Sequence, residues 1–269
     1  MGAGREGHTA TFVQKTDAGY LRLSTATGLL FTALTGDKKS LAALNGIDVN
    51  QYVGVSKIYS PQFAVLPGFI TILNIINGSA EDAEITVRLH TADGGVAATL
   101  KQLVPHGGQL KGDLLALFDE IGDLRNSSGW IEVESSNDQV LGTVTFTDTD
   151  GGFASTFELR GKGETSFIFP TIGQNDSYTT GIALLNPNDA TATVTLELWG
   201  PGGTVDRSVT FTLAPRSNSS RYLDSYFAGL EPRDAGNIRV RSNQPLWGLA
   251  LISDRKLSFA SAVPAIPMP

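Results

Sequence analysis

Two carboxylates in one turn have the clearest potential for metal chemistry. Asp148 and Asp150 stand on alternate positions before Gly151 and Gly152, and carboxylates in a glycine-containing loop can supply oxygen ligands to Ca²⁺. The remaining ligands of a calcium loop are missing, and a turn between two strands needs the same residue types. The segment Asn186-Pro-Asn-Asp189 likewise fits either a calcium loop or an ordinary turn. We therefore predict no metal site, with calcium binding in these turns as the alternative.

The sequence lacks the patterns that catalysis or cofactor binding requires. His8, His90 and His106 are far apart, and no Gly-x-Ser-x-Gly motif positions a nucleophilic serine. The absence of cysteine removes thiol nucleophiles and zinc–thiolate sites together. The glycine-rich pieces contain no Gly-Lys-Ser/Thr element for phosphate. We predict that the protein is not an enzyme and binds no cofactor. A site built from isolated acids between two units is the alternative.

Three aromatic residues form the predicted ligand platform, on which a sugar ring would stack. Trp199 stands beside a hairpin turn, whereas Trp130 and Tyr20 occupy equivalent positions at the starts of predicted strands. Packing in the core or at its rim is the competing interpretation for each, because aromatic rings bury a large apolar area. Trp247 lies in an apolar run, where burial is the simpler account. Trp199 is therefore the best exposed candidate.

The composition indicates an all-β globular protein. The chain of 269 residues is 41% hydrophobic and 17% charged, with 30 Gly and 12 Pro, a balance that favours strands and tight turns over charged helices. The formal charge of −7 and the lack of a basic run argue against nucleic acid or an anionic membrane surface as a partner. No apolar stretch reaches the length of a membrane-spanning helix, so we predict no membrane span.

One segment occurs three times, as an alternating strand, a polar turn and a more apolar strand. The copies run over residues 236–252, 129–146 and, most weakly, 19–34, and each begins with glycine. The spacing between copies suits one sandwich-sized domain per period. We interpret each copy as a hairpin-like strand pair.

A second set of elements also occurs twice, between the hairpin-like copies. The turns Asp93-Gly-Gly95 and Pro201-Gly-Gly203 predict tight hairpins in which glycine adopts positive φ. Asp113 can cap a short helix over residues 114–121, and a counterpart is predicted over residues 220–227. Both helices are short, so packing must stabilise them.

These patterns divide the chain into a partial unit and two whole ones. Residues 1–57 form the partial β unit, the unpaired second half of a repeat, and residues 58–165 and 166–269 form β-sandwich repeats. The partial unit can be left over from a preceding unit, pack on its neighbour, or add strands to the exposed edge of another subunit.

The segments Thr179–Asn188 and Asn243–Leu251 resemble tandem immunoglobulin-like β-sandwich repeats of secreted or surface bacterial proteins. The resemblance covers roughly residues 58–265 and, more weakly, 19–57. It implies a fold of tandem immunoglobulin-like units, each with one short helix, and roles as spacers, adhesive stalks or carbohydrate-contacting modules. It transfers no site residue to this chain.

The expected function is a non-catalytic structural or adhesive module, a stalk or filament component that assembles through β-strand contacts. The alternative is a carbohydrate-binding module of a larger secreted protein. Expected partners are further copies of the chain, a surface protein or a glycan. The segment Met1–His8 lacks the apolar core of a signal peptide. Either the protein is cytoplasmic or a leader was removed and an artificial start added. We favour the second interpretation because the first unit reads as cut open, and we expect an extracellular or cell-surface location.

Overall fold

A computed structural model describes residue 23 and residues 32–36, 41–118, 124–150 and 152–269, with the backbone alone for 32–36 and 41–45. The chain divides into two compact units, residues 1–30 and 31–269. The fold below is that of the second unit. The predicted strand near residues 9–14 and the candidate Tyr20 lie outside the described residues.

The described residues form eighteen strands, two one-turn α-helices and one 3₁₀ helix at Val49–Tyr52. The strands up to residue 158 are β1 (Thr32–Gly36), β2 (Leu41–Asn45), β3 (Lys57–Val65), β4 (Phe69–Asn77), β5 (Ala83–His90), β6 (Val96–Val104), β7 (Gln109–Asp113), β8 (Ser127–Ser135), β9 (Val140–Asp148) and β10 (Ala154–Glu158). The later strands are β11 (Glu164–Phe169), β12 (Thr179–Asn186), β13 (Ala192–Trp199), β14 (Val205–Leu213), β15 (Ser217–Tyr222), β16 (Asn237–Ser253), β17 (Ala260–Pro264) and β18 (Ile266–Pro267). The helices are α1 (Leu114–Leu117) and α2 (Leu223–Tyr226).

The first sandwich consists of two four-stranded antiparallel sheets, in the orders β3-β8-β5-β6 and β10-β9-β4-β7. Its strands alternate between apolar residues that face the core and polar residues that face outward, the period-two pattern of a strand buried on one side. On β4, for example, Leu73 and Ile75 are fully buried while Asn74 between them is half-buried. The two inner faces together form one core.

The second sandwich has one layer in the order β14-β13-β16-β11-β18 and a second in which β12 pairs with β15 and β16, and β17 pairs with β16. The strand β16 is 17 residues long and belongs to both layers. Its first part pairs with β13 and β11, and its last part pairs with β12 and β17. The prediction of an all-β sandwich fold is thereby confirmed.

The hairpin interpretation of the glycine-led copies at 129–146 and 236–252 is wrong. In the first sandwich β8 pairs with β3 and β5, whereas β9 pairs with β4 and β10, so the two strands lie in different sheets. Gln139 between them has φ 61° and accepts a backbone hydrogen bond from Gly78 at 3.0 Å. The polar segment therefore carries the chain from one sheet to the other, because both strands have an apolar face that must reach the core.

Both predicted helices form but are shorter than predicted. The side chain of Asp113 accepts a hydrogen bond from the Ala116 amide at 3.0 Å, which confirms the predicted cap. The α2 helix starts only after Tyr222, because β15 continues to that residue in its pairing with β12. Each sandwich thus contains one helical turn.

The predicted boundaries 1–57, 58–165 and 166–269 remain predictions. Buried apolar residues form two clusters, yet the cluster of the first sandwich includes Leu249 and Ala260 from the second. The strands β1 and β2 pair antiparallel, with Thr32 opposite Asn45. Within the described part of the chain, no helix is long and apolar enough to cross a membrane.

Candidate interaction surfaces

The outward side of the sheet β3-β8-β5 is called the first face. The antiparallel register sets its side chains beside one another. Its members are Tyr59, Arg88, His90, Trp130 and Glu132.

Two rings of the first face form a stack that is closed to solvent. His90 and Trp130 are opposite each other on β5 and β8, with ring centroids 3.7 Å apart and planes 3° from parallel. Trp130 is 0% and His90 2% exposed. Burial lowers the pKa of the His90 imidazole below its ordinary value. Trp130 therefore has no free ring face on which a sugar could stack, which contradicts its place in the predicted platform.

Ion pairs between half-buried Arg88 and two glutamates, of which Glu132 is buried, lie beside this stack. Arg88 Nη1 bonds to Glu132 Oε1 at 2.6 Å and to Glu134 Oε2 at 2.8 Å, and Glu132 is only 4% exposed. The hydrogen bond to Glu134 is the main cause that raises the pKa of Arg88, and the same bond lowers the pKa of Glu134. A buried carboxylate is costly without a charged partner, and Arg88 bonds to Glu132 directly.

The second sandwich covers the first face with one of its ends. We define the second end as the segments 187–191, 214–218 and 243–247. They are joined by Arg216 N donating to Asn188 O and Asn188 Nδ2 donating to Pro245 O. The ring of Tyr59 meets Trp247 edge-on at 5.0 Å. Burial raises the pKa of Tyr59 to about 12. The simpler sequence interpretation of Trp247, packing, agrees with this contact.

Hydrogen bonds fix the second end on the first sandwich. The Asn218 amide donates to Ala92 O at 2.9 Å and its side chain donates to Pro61 O at 3.0 Å. A Cβ atom on Gly94 would lie 2.1 Å from Arg216 O, so this close approach needs glycine. Together these contacts form a joint between the two sandwiches.

The outward side of β11-β16-β13 is called the second face, with Ile168, Glu197, Trp199, Asn237 and Arg239 as its members. The Arg239 guanidinium lies 3.7 Å from the ring centroid of Trp199, a cation–π stack. Trp199 Nε1 donates to Glu197 Oε2 at 3.1 Å. Trp199 is half-buried, so one ring face is occupied by Arg239 and part of the indole remains accessible.

Two polar atoms of the second face are buried without a hydrogen-bond partner in the described part of the chain. They are Asn237 Oδ1 and Arg239 Nε. An unpaired buried polar atom costs about 1–3 kcal/mol, and such atoms are uncommon in folded proteins. Sequence reasoning missed Arg239, although the alternation of Ile238, Arg239 and Val240 gave the signal that it faces away from the core.

A separate cleft of about 240 Å³ lies between the sandwiches. Its wall includes Ala64, Phe69, Gly181, Ala183 and Leu251. This volume is below the roughly 300–1,000 Å³ of typical ligand pockets. The cleft is therefore a weaker candidate site than the two faces.

The acidic turns show local capping bonds. Asp148 Oδ1 accepts a hydrogen bond from the Gly152 amide at 2.5 Å, and Asn186 donates its side-chain amide to three backbone carbonyls. In the described ranges, no group of three or more His, Asp or Glu side chains is placed to hold a metal ion. His90 and His106 lie in different places, since His106 contacts Ser79 O.

Residues 161–244 match the model of a family described as a family of unknown function, DUF5719. That range runs from just before β11 into the first part of β16. No curated protein matches the chain. The crystal structure of Thermotoga maritima 1070 is similar at 15% identity, with a TM-score of 0.35, over 39% of this chain and 96% of that chain.

Proposed function

We propose that the protein is a non-catalytic structural module, a spacer of an extracellular stalk or filament, built from tandem immunoglobulin-like repeats. The observation that carries this proposal is the joint. It buries aromatic and charged side chains of one sandwich beneath the end of the next. A spacer must keep its units in one relative orientation, and a packed, hydrogen-bonded joint does so.

Matching asparagine networks support two repeats. Asn77 Nδ2 donates to the carbonyls of Glu81, Val104 and Pro105, at sequence separations of 4, 27 and 28. Asn186 Nδ2 donates to three carbonyls at the same three separations, those of residues 190, 213 and 214. Both asparagines end a central strand and are buried. Such agreement between distant parts of a chain is expected of repeats.

The joint supports a rigid connection. Besides the contacts of Asn218 and Trp247, Arg160 Nη1 donates to Ala265 O at 2.9 Å and Ala262 N donates to Ser155 Oγ at 2.6 Å. Trp247 Nε1 donates to Arg160 O at 2.7 Å. The hydrogen bonds thus extend along two sides of the contact and oppose a hinge motion.

Residual dipolar couplings of the backbone amides test the proposed rigidity. We expect one alignment tensor to fit residues 58–160 and 164–267 together, and Trp247→Ala to give two tensors of different magnitude. Val205→Ala is the matched control, since Val205 is 45% exposed and distant from the joint contacts. Two independent tensors for the unaltered chain would overturn the spacer proposal.

The proposed location needs its own test. Antibodies raised against the folded chain should label intact source cells as strongly as lysed ones. Labelling that appears only after lysis would contradict an extracellular role.

A carbohydrate-binding module is the second candidate, favoured by the accessible part of Trp199. If this second function is right, the protein should bind a glycan on an array, and Trp199→Ala should abolish that binding. Tyr178→Ala serves as the control, because Tyr178 is also an exposed aromatic residue, at 44%. No binding, or equal binding by both variants, would remove this candidate.

A further inference from the structure

We propose that the second face binds the end of another copy of this chain, so that copies join head to tail. The inference rests on the proposed structural function, because it extends the joint within the chain to a joint between chains. The occupant is the first end of a second copy. We define the first end as the segments 78–82, 105–109 and 136–140.

The two faces match position by position. His90 and Trp199 each end the strand that follows the buried asparagine, and Glu132 and Arg239 each lie opposite the charged residue two positions earlier. The pair Arg88–Glu132 becomes Glu197–Arg239, with the signs exchanged. The second face therefore has the same layout as the first face, which binds the second end.

The residues of the first sandwich that contact the second end have counterparts in the second sandwich, and these counterparts contact no such end in the part of the chain that the structure describes. Gly94 touches Arg216 O, whereas a Cβ on its counterpart Gly203 would meet no atom of the described residues within 4 Å. Pro61, which accepts the bond from Asn218, is buried, whereas its counterpart Pro170 is exposed.

The first end has the groups that the joint uses. Gln109 pairs with Ile76 as Asn218 pairs with Leu185, so Gln109 occupies the position of the residue that bonds across the joint. Gln109 carries a side-chain amide, the group with which Asn218 donates to Pro61 O at 3.0 Å. Gly107 has φ 66°, close to the φ of 51° at Arg216 in the same turn position. The two ends thus share a left-handed residue at this turn position.

Charges favour this pairing. The second face and its neighbour Arg241 carry two arginines and one carboxylate, a local net charge of +1 on a chain of formal charge −7. The first end carries three exposed acids, Glu81, Asp82 and Asp138. Attraction between the patches orients the encounter and weakens as salt rises. The contact joins two different surfaces, so its repetition gives open chains of copies.

Sedimentation equilibrium at low salt tests the proposal. We expect a mass that grows with concentration beyond a dimer, and a loss of association of about tenfold or more in Arg241→Glu and in Glu81→Lys. In the described part of the chain, neither side chain has a hydrogen bond or ion pair, so both variants should fold. The chain that carries both reversals should associate again. Arg207→Glu, an exposed change on β14 whose partner Leu198 faces the core, is the control.

Cysteine pairs give a geometric check, because the chain contains no cysteine. In the joint, Asn218 bonds to Ala92, and the corresponding residues are Gln109 and Pro201. Mixed Gln109→Cys and Pro201→Cys chains should form a disulfide dimer under oxidation. A mixture of Gln109→Cys and Glu84→Cys should not.

The outcomes separate this inference from the spacer proposal. A chain that is monomeric at every concentration, a closed dimer that does not grow, or association unaffected by Arg241→Glu would overturn head-to-tail docking. If one alignment tensor did not fit the residual dipolar couplings of both sandwiches, the spacer proposal would be overturned and the sedimentation result would be unaffected.

Discussion

The first and second faces have the same layout but different surroundings. On the first face, Trp130 stacks on His90 and both are closed to solvent, beside the buried Glu132. On the second face, Trp199 stacks on Arg239 and both are half-buried. The difference shows that strand register alone selects which residues meet. The end of the second sandwich decides whether the surface they form becomes interior.

The same comparison explains the chemistry of each stack. Covered by another sandwich, the first face contains a neutral ring pair and an ion pair bonded at 2.6 Å, because an unpaired charge there would be costly. The second face keeps a cation over an aromatic ring, which part-exposed surfaces tolerate. Truncating residues of the same type on the two faces should therefore have unequal effects on stability.

The tryptophan pair gives the largest expected difference. Trp130→Ala removes a fully buried side chain and should lower the free energy of unfolding by about 3–5 kcal/mol. Trp199→Ala removes a half-buried one and should cost about 1 kcal/mol. Urea unfolding followed by circular dichroism measures both. Equal losses would show that the second face is as well covered as the first.

How far the sequence predicts this structure depends on how local each feature is. The hairpin glycines Gly94 and Gly203 and the cap Asp113 were predictable and are confirmed, because nearby residues determine them. Trp130 and Trp199 follow similar alternating patterns, and their different burial was not predictable. It depends on contacts such as Asn218 to Pro61, which joins residues 157 positions apart.

The pairing of β8 and β9 was unpredictable for a related reason. An alternating strand, a polar turn and an apolar strand also describe a hairpin, and nothing within that segment excludes one. The partners that separate them are β3 and β5 for β8, and β4 and β10 for β9. The choice is made by sheets assembled from distant parts of the chain.

The arginine pair should give the next largest difference. Arg88→Met keeps the apolar stem but leaves Glu132 without its ion pair, and should cost about 2–3 kcal/mol, since the side chain of Arg88 is 29% exposed. Arg239→Met loses a cation–π contact at a part-exposed site, about 0.5–1 kcal/mol. Thermal and urea unfolding of both variants test this order. A loss at Arg239 equal to that at Arg88 would contradict it.

The smallest effect is a dependence on pH that only the first face should show. The folded protein disfavours protonated His90, whose pKa lies below the ordinary value of 6.5, chiefly through burial, with Glu132, Arg216 and Arg88 as the nearby charges. The unfolded chain binds that proton more readily. The contribution of neutral His90 to the stability of the folded protein is therefore complete above pH 6.5 and is lost as the pH falls below that value.

The free energy of unfolding, measured from about pH 7.5 to about pH 5 around the ordinary pKa of histidine, reports the contribution of His90. His90→Phe keeps a ring on Trp130 and removes the titrating group, so its stability should fall less on acidification than that of the unaltered chain. His106→Gln, at an exposed position outside the first face, is the matched histidine variant. If His90→Phe lost stability as steeply, the acid sensitivity would belong to other groups. The tight cover of the first face would then lack its expected titration signature.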